Sequence, residues 1–454
     1  MSELAILGGE PIRKIDFTKR KSMGNEEKFA AARVIDSDIL SGFIAAGGKF
    51  FNGGPEVKHF ESLWMQEYGF KNAISVNSWT TGLQTCFGAI GIEPGDEVIC
   101  PPYTMSASAT ACLFYGGIPV FADIDPFRFT IDPKSIREKI TQRTKAIVVV
   151  HLFGYSAEMD EILEIAKAHN LKVVEDAAQA PGVFYKNKPV GTIGDIGGFS
   201  FNFHKHIHTG EGGLIVTNDP DLAMRSRMIR NHGENAIEYY DIKNIKNVIG
   251  SNYRFTELQA AIGVEQFKKL KNILEHRSKI AKILDKRLKG LRGLEIQDLD
   301  KDCTHAYYMY PIKFNSEILE ISRNLFVKAV SAELPRPKEW DTTPMAEGYV
   351  KPLYLNPIYQ KQLAIGDKGF PWTNNKEKEY NYTKGICPVT EDLYKNKLIV
   401  SPLVREGISE GDINDFANAI EKVIENIDYL KTKDNFKIAK EIYDPLKAIE
   451  DNID

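Results

Sequence analysis

The sequence predicts an α/β protein with a mostly parallel central sheet in a large domain and a smaller α+β domain at the C-terminal end. The chain has 454 residues, more than one hydrophobic core usually supports. From about residue 70 to 220, short β-branched segments alternate with stretches of helical periodicity, the pattern of β-α units. We therefore expect a large domain over residues 1–280 and a small domain over residues 281–454.

Six short segments are predicted as strands of the large domain: Ala73–Val76, Glu97–Cys100, Pro119–Asp123, Ala146–His151, Lys172–Glu175 and Gly213–Thr217. Between the fourth and the fifth, Glu158–His169 has the period of an amphipathic helix that packs on a sheet. A long helix predicted over Thr256–Leu291 leads out of this domain. Ligands bind beyond the carboxyl ends of parallel strands, so the residues after each strand are the candidates for function.

In the C-terminal part, Leu294–Gln297 and His305–Phe314 are predicted strands, and Ile413–Asn426 is a predicted amphipathic helix. Residues 334–394 form a long segment rich in Pro, Gly, Trp and Tyr, and loops of that length are usually functional or disordered. Its aromatic residues favour a packed lid over a linker: Trp340, Tyr349, Tyr354, Tyr359, Phe370 and Trp372. The charged stretch after Tyr429 is predicted as a surface helix.

Composition excludes several classes of function. The formal net charge is -4 without a long block of one sign, so nucleic acid is not an expected partner. We find neither a signal-like N-terminus nor an apolar run long enough to span a bilayer, which predicts a cytoplasmic protein. The five cysteines are widely spread without a C-x-x-C pair, an arrangement that argues against a disulfide framework and a zinc site.

Two ionisable residues stand where a parallel sheet binds ligands. Asp176 follows a predicted strand, with Gln179 three positions on, and an isolated Asp there is ordinarily a helix N-cap. Lys205 lies between Phe199-Ser200-Phe201 and a Gly-Glu-Gly-Gly turn at Gly210–Gly213, although most lysines are solvated surface charges. Burial would lower the pKa of this amine and leave the free base. Together, Asp176 and Lys205 suggest a pyridoxal 5′-phosphate (PLP) site, in which the lysine holds the cofactor and the carboxylate faces the pyridine nitrogen.

Hydroxyl groups nearby offer a cradle for a phosphate. Ser200 follows the Phe-Ser-Phe pattern, and Ser78-Trp79-Thr80 opens a predicted helix whose backbone N–H groups attract anions. Each feature alone is weak, since Ser and Thr after strands are commonly just caps.

In combination, three segments resemble the DegT-type sugar aminotransferases of the fold-type I, aspartate aminotransferase superfamily. They are Val174–Ala180, Phe199–Gly213 and Gly250–Ala261, and the resemblance extends over about residues 20 to 315. The opening Leu4–Pro11 also resembles members that act on cyclitols or aminobenzoate precursors. Several motifs in this order along the chain are far more specific for the family than any single motif.

The resemblance implies that Lys205 forms the Schiff base with PLP, that Asp176 pairs with the pyridine nitrogen and that Gln179 contacts the ring oxygen. It also implies that the phosphate is bound by Ser200 together with Ser78, Trp79 and Thr80. By the same resemblance, Asn252 reaches the phosphate of a neighbouring subunit. Shared sites of this kind imply a homodimer.

The sequence departs from the family pattern at three places. Met105 stands where an aromatic residue is usual, so we expect stacking on the cofactor ring from its thioether or from Tyr103. Trp79 replaces a small glycine in the phosphate turn. His204, His206 and His208 crowd the lysine, and similar ketosugar dehydratases carry histidine in its place.

Counting back from the turn at Gly210 puts Lys205 at the lysine position, which favours a transaminase over a dehydratase. We predict no metal site, because no carboxylate or Cys is spaced to complete the His-x-His-x-His pattern.

The predicted reaction is a ping-pong transfer of nitrogen from glutamate or glutamine to a ketone on a nucleotide-linked sugar or a cyclitol. The carboxylate of the donor amino acid requires a cationic partner. Arg254 is a candidate for that role, although a structural salt bridge is an equally good interpretation of this residue. His232 is a candidate substrate contact whose default role is a turn residue. Two alternatives are open: a PLP-dependent ketosugar dehydratase and a non-catalytic regulator or binding partner with this fold.

Overall fold

The computed structural model describes residues 3–335, 343–375 and 377–431, and it confirms the α/β class with a mostly parallel central sheet. The strands are β1 (Asn72–Val76), β2 (Glu97–Cys100), β3 (Ile118–Phe121), β4 (Thr144–Val150), β5 (Lys172–Asp176), β6 (Phe184–Tyr185), β7 (Lys188–Pro189), β8 (Ile196–Ser200), β9 (Gly213–Thr217), β10 (Leu294–Ile296), β11 (Tyr310–Phe314), β12 (Ala346–Glu347) and β13 (Leu398–Ser401).

The described residues also form helices of very different lengths. They are α1 (Asn25–Asp36), α2 (Pro55–Tyr68), α3 (Trp79–Ile90), α4 (Ala107–Thr110), α5 (Pro133–Lys139), α6 (Met159–His169), α7 (Pro220–Arg230), α8 (Glu257–Leu288), α9 (Ser316–Leu319), α10 (Arg323–Ala332), α11 (Pro357–Gln360), α12 (Pro388–Asp392), α13 (Glu410–Glu425) and α14 (Ile427–Leu430). None of them is both long enough and apolar enough to cross a membrane.

The central sheet has seven strands in the order β1-β9-β8-β5-β4-β2-β3. Strands β8, β5, β4, β2 and β3 run parallel, whereas β9 is antiparallel to both β8 and β1. The parallel strands are largely buried, which explains the Val and Ile runs of β4 and β5. The carboxyl ends of these parallel strands lie along one edge of the sheet, where β5 ends at Asp176 and β8 ends at Ser200.

Strand β8 is missing from the predicted set. It contains Gly197 and Gly198, residues that weaken the sequence signal for a strand. A Cβ atom at Gly198 would lie 2.0 Å from the carbonyl oxygen of Leu214 and 2.3 Å from the ring of Trp79. The glycine therefore allows a close approach of neighbouring groups at the cost of strand propensity.

The second sheet is antiparallel, with the order β10-β11-β13-β12. It shares a hydrophobic core with the C-terminal half of α8, with α10 and with α13. The predicted strand over His305–Phe314 is too long, because only Tyr310–Phe314 is a strand and Tyr307 has a positive φ of 50°. The predicted domain boundary at residue 280 falls within α8, and the two-domain division stays a prediction.

The aromatic-rich segment packs against the outer edge of the central sheet. Tyr354, Tyr359 and Tyr382 surround the ring of Phe121 at the end of β3, with centroid distances of 5.1–5.9 Å. Asp123 accepts hydrogen bonds from the backbone of α12 at the far end of the segment. The segment is thus packed, as its composition predicts. Trp340 and most of the stretch after Tyr429 lie outside the described residues.

Candidate active site

Asp176 ends β5 in the middle of the central sheet, and its side chain is held on both oxygens. The indole Nε1–H of Trp79 donates to Oδ1 at 2.8 Å, and the hydroxyl of Ser108 donates to Oδ2 at 2.6 Å. The backbone N–H of Ala178 also donates to Oδ1, at 3.2 Å. The residue is only 4% exposed. A buried carboxylate with fixed donors is a pre-oriented anion.

Lys205 lies after β8, between the Phe-Ser-Phe pattern and the glycine-rich turn, and it is 8% exposed. Its Nζ stands 4.3 Å from the centroid of the Tyr308 ring. Burial lowers the pKa of this amine to about 8, with Asp176 opposing the shift and Arg20 adding to it. A substantial fraction of the amine is therefore neutral near pH 8, which is the state in which it attacks an aldehyde.

Gln179 lies in a turn after β5, where no helix begins. Its Oε1 accepts from the backbone N–H of Phe153 at 2.7 Å, and its Nε2 donates to the hydroxyl of Tyr349 at 3.0 Å. These two bonds fix which way the amide faces. Burial raises the pKa of Tyr349 to about 12, so its hydroxyl keeps its proton at neutral pH.

The predicted phosphate residues come from two elements at the same edge. Ser78 is the N-cap of α3, where its Oγ accepts from the backbone N–H of Thr81, and Thr80 is exposed in the first turn. Ser200 ends β8 and is partly buried. Trp79 turns its side chain to Asp176, so only its backbone N–H is available for an anion.

Of the two candidates for stacking on the cofactor ring, only Met105 is accessible. Its side chain is 62% exposed, whereas Tyr103 is 1% exposed. The hydroxyl of Tyr103 accepts a hydrogen bond from the backbone N–H of Tyr349. This geometry favours the Met105 thioether.

The pKa values of all three histidines beside Lys205 are lowered. Burial lowers the pKa of His204 and of His208 to about 4, and it lowers the pKa of His206 well below its usual value. The Nε2 of His206 donates to the carbonyl of Ala306 at 2.8 Å. Within the described residues there is no cluster of three or more His, Cys, Asp or Glu suited to a metal ion.

Asn252, Arg254 and His232 lie together on a separate loop. Asn252 is exposed and forms an isolated bridge with Asn231, whose Oδ1 accepts from the Nε–H of Arg254 at 2.7 Å. His232 has a positive φ of 47°, and its Nδ1 is 3.6 Å from a carboxylate oxygen of Glu234. In the described part of the chain, none of the three forms a hydrogen bond or ion pair with Asp176 or Lys205. Their substrate and cofactor roles stay predictions.

Sequence patterns did not single out three residues at this site: Ser108, Tyr308 and Tyr349. Ser108 is 68 positions from Asp176, and Tyr349 is 170 positions from Gln179. No short spacing signals such contacts, and only the aromatic richness around Tyr349 hinted at a role for its segment.

Comparison with known proteins identifies the family. Residues 42–420 match the model of the DegT/DnrJ/EryC1/StrS aminotransferase family. This chain belongs to that family. GDP-perosamine synthase from Caulobacter vibrioides is 39% identical over 64% of this chain and 76% of its own length. The L-glutamine:2-deoxy-scyllo-inosose aminotransferase of Streptomyces paromomycinus is 29% identical over 93% of this chain and 97% of its own.

Solved structures of the family have the same fold. The aminotransferase from Psychrobacter cryohalolentis superposes with a TM-score of 0.76 and 29% identity, covering 91% of this chain and 100% of that one. The DegT-type chain described here is therefore an aminotransferase, and its cofactor is PLP. The residues at the sheet edge fit that cofactor, since they offer a buried amine, a buried carboxylate and a helix N-terminus flanked by hydroxyl groups.

Proposed function

We propose that this aminotransferase moves an amino group from glutamate or glutamine to a ketone on a nucleotide-linked sugar or on a cyclitol. The observation that carries the proposal is the buried amine of Lys205. Burial lowers its pKa to about 8, although the charge of Asp176 opposes the shift. The substrate class rests on the relatives, one named for a GDP-sugar product and the other for an inosose acceptor.

In this proposal PLP, when bound, supplies the electron sink that lets nitrogen pass from donor to acceptor. Lys205 anchors the cofactor through Nζ and, once released, carries the proton at Nζ between the reacting carbon atoms. Asp176 faces the pyridine nitrogen and favours its protonated form, while Gln179 binds the ring oxygen. Ser78, Thr80, Ser200 and the backbone of Trp79 hold the phosphate.

Aromatic side chains lie against two of these residues. Tyr308 lies against the amine, and Tyr349 covers Gln179 from the aromatic-rich segment. Met105 is free to contact the cofactor ring. We assign the donor's carboxylate to Arg254 and a substrate contact to His232.

We further propose that the enzyme is a homodimer with shared sites. Two neighbouring segments expose large apolar side chains, Ile39, Ile44 and Phe50 in one, and Tyr239 and Ile249 in the other. Tyr240 and Gly48 link the two segments by hydrogen bonds between the Tyr240 hydroxyl and the Gly48 backbone. A large exposed apolar surface of this kind marks a protein interface, and Asn252 lies exposed on the loop that follows it.

A cytoplasmic location is part of the proposal. All five cysteines are buried and unpaired, as expected for a protein that folds in a reducing compartment.

The two alternatives predict different products. A ketosugar dehydratase would release a sugar product without the donor's nitrogen, and a non-catalytic protein would release none. The position of Lys205 favours transamination, because this buried amine lies within electrostatic reach of Asp176, whose charge raises the pKa of Lys205 against the effect of burial.

The test uses α-¹⁵N-labelled glutamine and glutamate with a panel of ketosugars and inososes, and mass spectrometry of the products. The proposal predicts a product that carries ¹⁵N, and loss of that product in Lys205→Ala. A deoxy product without nitrogen would establish the dehydratase. Turnover that survives Lys205→Ala would contradict the proposed role of the lysine.

A further inference from the structure

Trp79 is the least expected residue at the cofactor edge, because the phosphate turn that it occupies usually carries a small glycine. The fold makes room for its ring. A Cβ atom at Gly82, one turn along α3, would lie 2.6 Å from the Trp79 ring, and one at Gly198 would lie 2.3 Å from it. Two glycines therefore leave the space that an indole needs between α3 and β8.

The indole is also hydrogen-bonded. Trp79 is 5% exposed, and its Nε1–H donates to Asp176 Oδ1 at 2.8 Å. Ser108 donates to Oδ2 at 2.6 Å, so the two oxygens have separate donors on different elements. A buried carboxylate held in this way cannot rotate without losing a charge-assisted hydrogen bond.

We propose that Trp79 is a positioning residue that orients the Asp176 carboxylate towards the ring nitrogen of PLP. The inference rests on the proposed function, in which Asp176 faces that nitrogen. It assigns to the Trp79 side chain a role separate from its backbone N–H at the phosphate turn. Loss of the indole leaves one carboxylate oxygen without its side-chain donor, so the pairing with the ring nitrogen weakens.

The first variant is Trp79→Phe, tested on the apoprotein. We expect the PLP dissociation constant to rise about 10-fold, the effect of losing one charge-assisted hydrogen bond. We also expect the ¹⁵N resonance of the bound cofactor's ring nitrogen to move towards its unprotonated position. Trp64→Phe is the matched control, since Trp64 is fully buried and its indole N–H has no hydrogen-bond partner among the described residues.

The second variant, Gly82→Ala, removes no atom of the site. Its new methyl group pushes on the Trp79 ring, while alanine itself favours the helix. It should therefore change the dissociation constant and the ¹⁵N resonance in the same direction as Trp79→Phe. Gly411→Ala in α13 is its control, because the nearest described atom to a Cβ atom there is Ser409 Oγ, at 3.6 Å.

Asp176→Asn separates this inference from the proposed function. If Asp176→Asn changes both measurements and neither Trp79→Phe nor Gly82→Ala does, the role of Trp79 is wrong and that of Asp176 stands. If Asp176→Asn also leaves the dissociation constant and the ¹⁵N resonance as in wild type, the assignment of Asp176 fails. Equal changes in Trp64→Phe and Trp79→Phe would also overturn the inference.

Discussion

At the scale of the residue, Arg20 fixes the backbone on both sides of the lysine. Its guanidinium donates to the carbonyl of Phe203 at 3.3 Å and to the carbonyl of His206 at 3.1 Å. Its positive charge also adds to the effect of burial in lowering the pKa of Lys205. The segment before α1, called here the N-terminal arm (residues 3–24), is thus coupled to the protonation state of the reactive amine.

Arg20→Met should raise the pKa of Lys205, because a cation no longer opposes the ammonium form. The rate at which the apoprotein binds PLP covalently would then rise through a midpoint roughly half a pH unit higher than in wild type. Absorbance stopped-flow from pH 6.5 to 9.5 measures this profile. Arg13→Met is the control on the same arm, where Arg13 pairs with Asp412. An unchanged profile in Arg20→Met would contradict the coupling.

Lys205 and Asp176 were predictable because each stands in a short pattern beside a strand. The partners of these residues were not, since Ser108, Tyr308 and Tyr349 reach the site through tertiary packing. Trp79 was predicted from its place in the phosphate turn, but the direction of its side chain depends on the space that Gly82 and Gly198 leave.

At the scale of the element, the aromatic-rich segment delivers one polar group to the site. Tyr349 accepts from Gln179 at 3.0 Å, and its ring packs edge-on against Phe153 with a centroid distance of 5.2 Å. Because burial raises the pKa of Tyr349 to about 12, the hydroxyl remains a donor throughout the working range of pH.

The Tyr349 oxygen accepts from Gln179, and we expect its O–H to donate to the acceptor ketone. Tyr349→Phe should then raise KM for the acceptor by about 10-fold, the effect of one lost hydrogen bond. The donor half-reaction, followed by absorbance with glutamine or glutamate alone, should change much less, because we assign the donor's carboxylate to Arg254. Tyr359→Phe is the control, since its hydroxyl is buried and finds no hydrogen-bond partner in the part of the chain that the structure describes. An equal loss in both half-reactions would show that Tyr349 does not discriminate the acceptor.

The sequence patterns predicted the strands with uninterrupted Val and Ile runs, including β2 and β9 with their observed bounds. They failed where packing outweighs propensity. Strand β8 contains two glycines, and residues 305–309 have strand-like composition but an irregular backbone with a positive φ at Tyr307. The aromatic segment was predicted to be packed, whereas its position on β3 was not predicted.

At the scale of the whole molecule, shared sites make a prediction about mixed dimers. Lys205→Ala and Asn252→Ala each impair both sites of their own homodimer. A mixed dimer has one site with both defects and one intact site. Co-refolding the two variants should therefore restore up to about a quarter of wild-type activity, measured by product formation. Activity no higher than the sum of the two variants alone would contradict site sharing.

The pH dependence of stability also belongs to the whole molecule. Burial lowers the pKa of His305 to about 3 from 6.5, so the unfolded chain binds its proton first as the pH falls. The free energy of unfolding should accordingly decrease below pH 6.5, by about 2 kcal/mol at pH 5 from this residue.

Urea unfolding at pH 7 and pH 5 measures this effect. His305→Gln should lose about 2 kcal/mol less than wild type between the two values, whereas His169→Gln, at an exposed position, should behave like wild type. The same pH dependence in both variants would mean that His305 is not buried in its neutral form.

The most direct test of the account is to locate the covalent attachment of PLP. The protein loaded with PLP is reduced with borohydride and digested, and the modified peptide is sequenced by mass spectrometry. We predict a single modified residue, Lys205, in the peptide between Phe199 and Gly213. Attachment at another lysine, or full retention of attached cofactor in Lys205→Ala, would contradict the central claim.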